Sequence, residues 1–308
     1  MARILVTGAA GFIGRTLCPA LARAGHSVLA VTRDGALPGI ESRPLGEIGP
    51  ATDWSAALHG VEIVVHLANR AHRAAAPVME REPAAAAALA AAAARAGVRR
   101  LVQMSSVKVM GEATAPGRPF RPQDAPCPAD AYGRVKLASE RALQAAAAAT
   151  GLELVVLRPP LVYGPGVGGN FAALLRLVAS GVPLPLAGID NRRSLVHIGN
   201  LCDLVGRAVA EPAAAERILL VRDGEDLSTA DLVRVLAAGL GRPARLVAAP
   251  HALLALLRRL PRLGPAAARL TLSLQVDDGA TRAALGWRPA IAARDGLAAT
   301  ARAFAAGM

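Results

Sequence analysis

An α/β fold, a doubly wound parallel sheet followed by a smaller C-terminal α+β lobe, is what the sequence predicts. Three observations carry it. Short β-branched runs alternate with longer helical patterns over the first two thirds of the chain, a glycine-rich turn joins the first run to the first helical pattern, and the alternation fades beyond Tyr163.

The strands read in order as Arg3 to Thr7, Ser27 to Thr32, Val61 to Leu67, Arg99 to Ser105 and Leu152 to Leu157. Helical stretches run from about Phe12 to Ala24, Pro83 to Ala96 and Tyr132 to Ala149, and alanine propensity alone supports the last two. Pro and Gly clusters at Gly164 to Gly169 and Val182 to Gly188 open the second lobe. The expected division is a dinucleotide-binding domain over residues 1–165, to which 194–222 returns, and a substrate-binding lobe over most of 166–308. The apolar, arginine-bearing stretch from His251 to Leu274 suits packing inside that lobe better than a membrane surface.

With 53% apolar and 19% charged residues, 308 residues make a globular chain rather than a disordered one. The uncharged stretch from Pro83 to Ala94 is shorter than the ~18 residues a bilayer span needs, so no integral membrane segment is expected. The first strand starts so near Met1 that a secretory leader is not expected either, and a cytoplasmic location follows. A net charge of +12 raises the question of nucleic acid, but no basic block of five occurs. Two Trp, two Tyr and four Phe are too few, and too far from the basic residues, to make a stacking platform. The three cysteines are scattered without metal-ligand spacing, so no metal is expected. Of 35 basic residues only Lys108 and Lys136 are lysines. A chain that otherwise uses arginine keeps these two near one candidate site, where a compact ammonium serves and a planar guanidinium does not.

Thr7-Gly8-Ala9-Ala10-Gly11-Phe12-Ile13-Gly14 follows the first strand and opens a helix. Gly8, Gly11 and Gly14 let the backbone approach a pyrophosphate, and Phe12 and Ile13 lie in the helix turn that receives it. This makes the fold Rossmann-type. An acid at the end of the second strand would select NAD by bonding the ribose hydroxyl. Thr32 occupies that position and Arg33 follows, so NADP(H) is favoured, with Arg15 as a second phosphate contact. NAD(H) is the alternative, because a shift of one residue brings Asp34 to the ribose.

Ser106 comes just after a buried strand, at the carboxyl edge of the sheet where ligands bind in open α/β folds. Tyr132 and Lys136 are four apart on a helix and project from one face. A phenol is a poor acid–base group at neutral pH, and a neighbouring ammonium favours the phenolate. A serine hydroxyl beside it holds a substrate oxygen.

TGAAGFIG at Thr7 to Gly14, Asp53-Trp54, HLA at His66 to Ala68, SSVKVMGE at Ser105 to Glu112, YGRVK at Tyr132 to Lys136, RPPLVYGPG at Arg158 to Gly166 and LGWRP at Leu285 to Pro289 are joint marks of one family. In them the chain resembles the extended branch of the short-chain dehydrogenase/reductase superfamily. GVGGNF, PLPL and NRRSLVHIGNL, from Gly166 to Leu201, look more narrowly like UDP-glucose 4-epimerase-like enzymes of bacterial polysaccharide pathways, close to UDP-4-keto-sugar reductases.

The resemblance implies that Ser106, Tyr132 and Lys136 are catalytic. It adds Asp53, Leu67 and Ala68 to the cofactor contacts, with Tyr132 and Lys136 among them. For the UDP-sugar it implies Ser106, Lys108, Asn170 and Arg193, with Arg192 and Arg269 as weaker candidates of the same type. One departure stands out: the family's Asn-x-x-Gly-Thr at the start of the helix before the fifth strand is replaced by Arg81-Glu82-Pro83 and alanines.

Relatives that eliminate or decarboxylate carry an acid one or two residues after the catalytic Ser or Thr. Val107 and Lys108 stand there, so hydride transfer remains. The leading expectation is NADPH-dependent reduction of the 4-keto group of a UDP-linked 6-deoxyhexosulose, N-acetylated or not. The alternatives are a C4 epimerase with tightly held NAD, and a non-catalytic NAD(P)-binding regulatory protein. A homodimer is compatible with all three.

Overall fold

In the computed structural model of the chain, residues 1–69, 81–250 and 264–307 are described, together with the backbone of Pro265 but not its side chain. Seven parallel strands form the main sheet in the order β3-β2-β1-β4-β5-β6-β9. They are β1 (Arg3–Thr7), β2 (Ser27–Thr32), β3 (Glu41–Pro44), β4 (Ile63–His66), β5 (Arg100–Met104), β6 (Glu153–Arg158) and β9 (Ile218–Leu220). The short β7 (Leu161–Tyr163) and β8 (Leu195–His197) pair with each other in parallel. The five strands expected from sequence are all present, each within a residue or two of its expected ends.

Side-chain alternation along these strands explains the two-sided burial. Ile4, Val6, Val28, Ala30, Ile63, Val65, Val102, Val155 and Leu157 enter one apolar cluster, and Leu5, Leu29, Val31, Val64, Leu101, Leu154 and Val156 enter another on the opposite face. The first cluster is completed by α1 (Phe12–Arg23) and α5 (Ile198–Ala210), through Leu17, Leu21, Leu201 and Val205. On the second face lie α2 (Glu82–Arg95) and α3 (Ala131–Thr150), through Ala86, Leu89, Ala93 and Leu143. Each fully buried Val, Leu or Ile contributes about 1.5–3 kcal/mol relative to exposure. Alanine gives little burial, but it lets α2 and α3 pack closely along each other.

The second lobe holds α4 (Gly169–Ala179), α6 (Thr229–Gly239), α7 (Gly264–Thr271) and α9 (Ala293–Ala306), whereas α8 (Gly279–Leu285) packs back on the main sheet, Leu285 entering the first apolar cluster and Thr281 donating to the Leu220 carbonyl of β9. The core of this lobe gathers Phe171, Leu175, Leu232, Leu236 and Leu297 around Tyr163. The Tyr163 hydroxyl donates to Asp223 at 2.7 Å, and Asp223 also accepts from the His197 amide and from Asn200 Nδ2. This buried carboxylate ties β8 and α5 to the chain just after β9. The amphipathic stretch expected from His251 onward falls outside the described residues as far as 263, and α7 covers most of the remainder. Among the described residues no helix is long and apolar enough to cross a membrane.

The candidate active site at the carboxyl edge of the sheet

Strand order reverses between β1 and β4, and a crevice opens outside the carboxyl ends of strands at such a reversal. Gly8 stands at the end of β1 with φ +67, a left-handed conformation, and a Cβ there would lie 2.7 Å from the Ala68 amide nitrogen. Glycine is therefore required where the turn passes the end of β4. Thr7 Oγ1 clamps the same two strand ends, accepting from the Ala68 amide at 3.2 Å and sharing a 2.8 Å hydrogen bond with His66 Nδ1. Leu67 and Ala68 are half-buried beside this turn.

Helix α1 begins after Gly11 with no side-chain cap, so the amides of its first turn, with Phe12, Ile13 and Gly14, keep their donor capacity for an anion. Arg15 folds back, its Nε donating to the Ala10 carbonyl at 2.7 Å. A glycine cradle that a Cβ would fill, next to an uncapped helix end, fits a dinucleotide pyrophosphate.

Farther along, Thr32 is buried and its hydroxyl donates to the Gly35 carbonyl at 2.7 Å, shaping the turn after β2. Arg33 is exposed beside Asp34, the two 3.9 Å apart. Asp53 is exposed and accepts from the Ser55 amide and hydroxyl, and these hydrogen bonds hold its carboxyl below the usual range.

Ser106, Tyr132 and Lys136 come together from two elements. Ser106 follows β5 and caps the short 3-10 turn Val107–Val109, its Oγ accepting from the Lys108 amide at 3.2 Å. Tyr132 and Lys136 lie on α3, whose N-terminus is capped by Asp130 through the Gly133 amide at 2.7 Å. A Cβ on Gly133 would meet the Lys108 carbonyl at 2.5 Å, so only glycine lets α3 reach the turn that carries Ser106. There the Tyr132 hydroxyl accepts from Asn69 Nδ2 at 3.2 Å and has the Ser106 hydroxyl as a neighbour.

Burial pushes the Tyr132 phenol up to about 12; the neighbouring Asn69 amide and Ser106 hydroxyl oppose this, and Glu82 and Asp130 add to it. Lys136 is buried, donates to the Met104 carbonyl at 3.2 Å, and has its pKa lowered by burial against the opposing charges of Glu82 and Glu140. Glu82 begins α2 within the segment where the expected Asn motif is missing. Its carboxylate puts a negative charge near the pair where that motif would offer an amide.

Lys108 is bound by two acids, Glu112 at 2.7 Å and Asp130 at 2.5 Å, with its Nζ 6.0 Å from the centre of the Tyr132 ring. Arg193 donates to the Leu272 carbonyl at 3.0 Å and is lowered to about 10 by burial, with Glu112 opposing and Arg269 reinforcing the shift. Lys108, Glu112, Arg193 and Arg269 thus form a chain of charges from Tyr132 into the second lobe. Arg192 instead points to solvent and pairs with Asp190 at 3.3 Å. Asn170 is exposed in the first turn of α4.

Asn69 and Glu82 escaped the sequence reading. Asn69 directly follows the His66 to Ala68 mark, and its position at the end of a central strand was the available signal.

The model of the NAD dependent epimerase/dehydratase family matches residues 4–221. The chain belongs to this family. As a member it is a nicotinamide-dinucleotide-dependent enzyme of the short-chain dehydrogenase/reductase superfamily. It is 39% identical to a UDP-glucose 4-epimerase of Vibrio cholerae over 315 residues, covering 98% of this chain and 95% of the relative. It is 34% identical to a 3-diazoavenalumate denitrifying reductase of a Streptomyces species, covering 96% and 99%. Among solved structures, MoeE5 in complex with UDP-glucuronic acid and NAD superposes with a TM-score of 0.78 at 26% identity, covering 99% of this chain and 100% of that one. MoeE5 thus shares the overall fold of this chain along its length.

Proposed function

We propose that the enzyme transfers hydride at C4 of a UDP-linked sugar, reducing a 4-keto-6-deoxyhexose or its N-acetylhexosamine counterpart to the 4-hydroxy sugar nucleotide. The observation that carries this reading is the Tyr132 hydroxyl held between Asn69 and Ser106, with no acid at 107 or 108. The Asn69 hydrogen bond, with the Ser106 hydroxyl alongside, sets the phenol where a carbonyl oxygen would receive its proton. The Ser106 hydroxyl is placed to hold that oxygen, and oriented donors of this kind stabilise charge as it develops. At position 108 Lys108 stands as a cation, so no carboxyl is there to move the proton that elimination requires.

The Gly8 to Gly14 turn would hold the dinucleotide pyrophosphate, and Lys136 the nicotinamide ribose. When bound, the nicotinamide supplies or accepts the hydride. Arg193, reinforced by Arg269, suits a diphosphate, since a guanidinium clamps phosphate oxygens bidentately. MoeE5 with UDP-glucuronic acid supports a nucleotide-sugar pocket. Arg33 favours NADP(H), and Thr32, whose hydroxyl donates to the Gly35 carbonyl, shapes the turn that presents it.

A second reading, C4 epimerisation with retained cofactor, is favoured by the Vibrio cholerae relative. The test offers a UDP-4-keto-6-deoxy-N-acetylhexosamine with NADPH and, separately, a UDP-hexose with no added cofactor, and follows both by NMR and absorbance. Stoichiometric NADPH oxidation with the keto sugar supports reduction. Conversion of the UDP-hexose to its C4 epimer, without NADPH oxidation on the keto sugar, replaces reduction by epimerisation.

A further inference from the structure

Behind the site lies an ion pair that the proposed chemistry does not use. Glu140 on α3 and Arg158 at the end of β6 are both almost fully buried, with Arg158 Nη2 donating to Glu140 Oε2 at 2.6 Å and Nε to Oε1 at 3.0 Å. The third guanidinium nitrogen donates to Met110 Sδ at 2.8 Å, and the Ser105 hydroxyl donates to Glu140 Oε1. One turn earlier on the same helix, Lys136 donates to the Met104 carbonyl. Successive turns of α3 are therefore fastened to successive residues, Met104 and Ser105, immediately before Ser106.

A buried ion pair is weak evidence for stability, because desolvation offsets most of the attraction and an apolar pair of similar volume often serves as well. Its retention asks for another role. We propose that Glu140 and Arg158 are positioning residues: they fix Ser106 in register with Tyr132 and Lys136, and Glu140 is a counter-charge of the Lys136 ammonium.

The surroundings of Lys136 make the second half specific. His66 faces it from β4, Glu82 from the start of α2, and Tyr132 and Glu140 lie one turn to either side on α3. His66 is held neutral, its pKa pushed to about 3 by burial and by Lys136 itself. Glu82 and Glu140 are the carboxylates that oppose the desolvation of Lys136. Glu140 also holds the strand end through Ser105.

The register half rests on the hydride-transfer function, whereas the charge half does not. With only two lysines in the chain, selective 13Cε-lysine labelling gives two NMR signals, and the titration midpoint of Lys136 is read directly. Glu140→Gln is expected to lower that midpoint by about one pH unit, leaving Lys108, with its own acids intact, unmoved. Should this variant fail to fold, Glu140→Leu/Arg158→Met removes the pair without stranding a charge, and the same direction of shift is expected.

In turnover, the folded variant should lose about 10- to 100-fold in kcat with KM and cofactor affinity changed little, the mark of misplaced reacting groups. An unmoved Lys136 midpoint overturns the counter-charge, and an unchanged kcat overturns the positioning role. Should the wild-type protein turn over no UDP-sugar while the lysine shift is seen, the function fails and the counter-charge stands.

Discussion

Asn69 Nδ2 stands 3.2 Å from the Tyr132 hydroxyl, joining the end of β4 to the first turn of α3 across 63 positions of sequence. A donor to this oxygen stabilises the phenolate, so it opposes the burial that raises the phenol. Removing it in Asn69→Ala leaves the folded Tyr132 pKa higher still. In the direction of alcohol oxidation, where phenolate accepts the proton, the rise of rate with pH should move to higher pH. At neutral pH the rate should fall roughly five- to tenfold, the equivalent of about one hydrogen bond. A pH–rate profile superimposable on that of the wild type would exclude the role.

Tyr132→Phe removes the proton itself. Turnover should fall by about 10²- to 10⁴-fold with cofactor affinity nearly intact, whereas Lys136→Ala should damage both. Steady-state kinetics combined with a fluorescence titration of the cofactor separates the two variants. Near-normal turnover in Tyr132→Phe would mean that another group moves the proton.

Arg33 is solvent-exposed and has Asp34 3.9 Å away, a weak pairing that leaves the guanidinium available. Binding measured by calorimetry should favour NADPH over NADH, and Arg33→Ala should erase the difference. Tighter binding of NADH, unaffected by this substitution, would refute the preference.

Asp130 has two tasks, which two substitutions separate. Its Oδ1 caps α3 through the Gly133 amide and its Oδ2 meets Lys108. Asp130→Asn keeps the cap, while Asp130→Ala loses it at a cost of about 1 kcal/mol. Urea unfolding should therefore place Asn between wild type and Ala, and equal losses would show that the ion pair, not the cap, holds the helix.

The sheet was legible in the sequence because each central strand buries both faces and so reads as an unbroken apolar run. Strand β3 was not, since Glu41, Ser42, Arg43 and Pro44 form an edge whose polarity hides it among loops. The pairing of Tyr132 with Lys136 follows from helical spacing, a local property. Asn69 depends on the closure of β4 against α3, which no local pattern encodes. Glu140 lay within reach: it is four residues beyond Lys136 and shares its helix face, but its partners Ser105 and Arg158 come from strands far apart in sequence. The expected effect of Lys136 on Tyr132 is also revised by the fold, since the ammonium points at the Met104 carbonyl and burial dominates the phenol.

The scarcity of lysine has a consequence for chemical labelling. Acylating reagents and acyl-transferring enzymes act on amines and leave guanidinium groups untouched. Lys136 is sealed beneath the sheet edge, and the Lys108 side chain is 22% accessible. Lysine acylation in this molecule is thus confined to one amine beside Tyr132. A single acyl group there would release Glu112 and Asp130 from their shared cation, so that the protein's one reachable lysine doubles as a covalent handle on the candidate site.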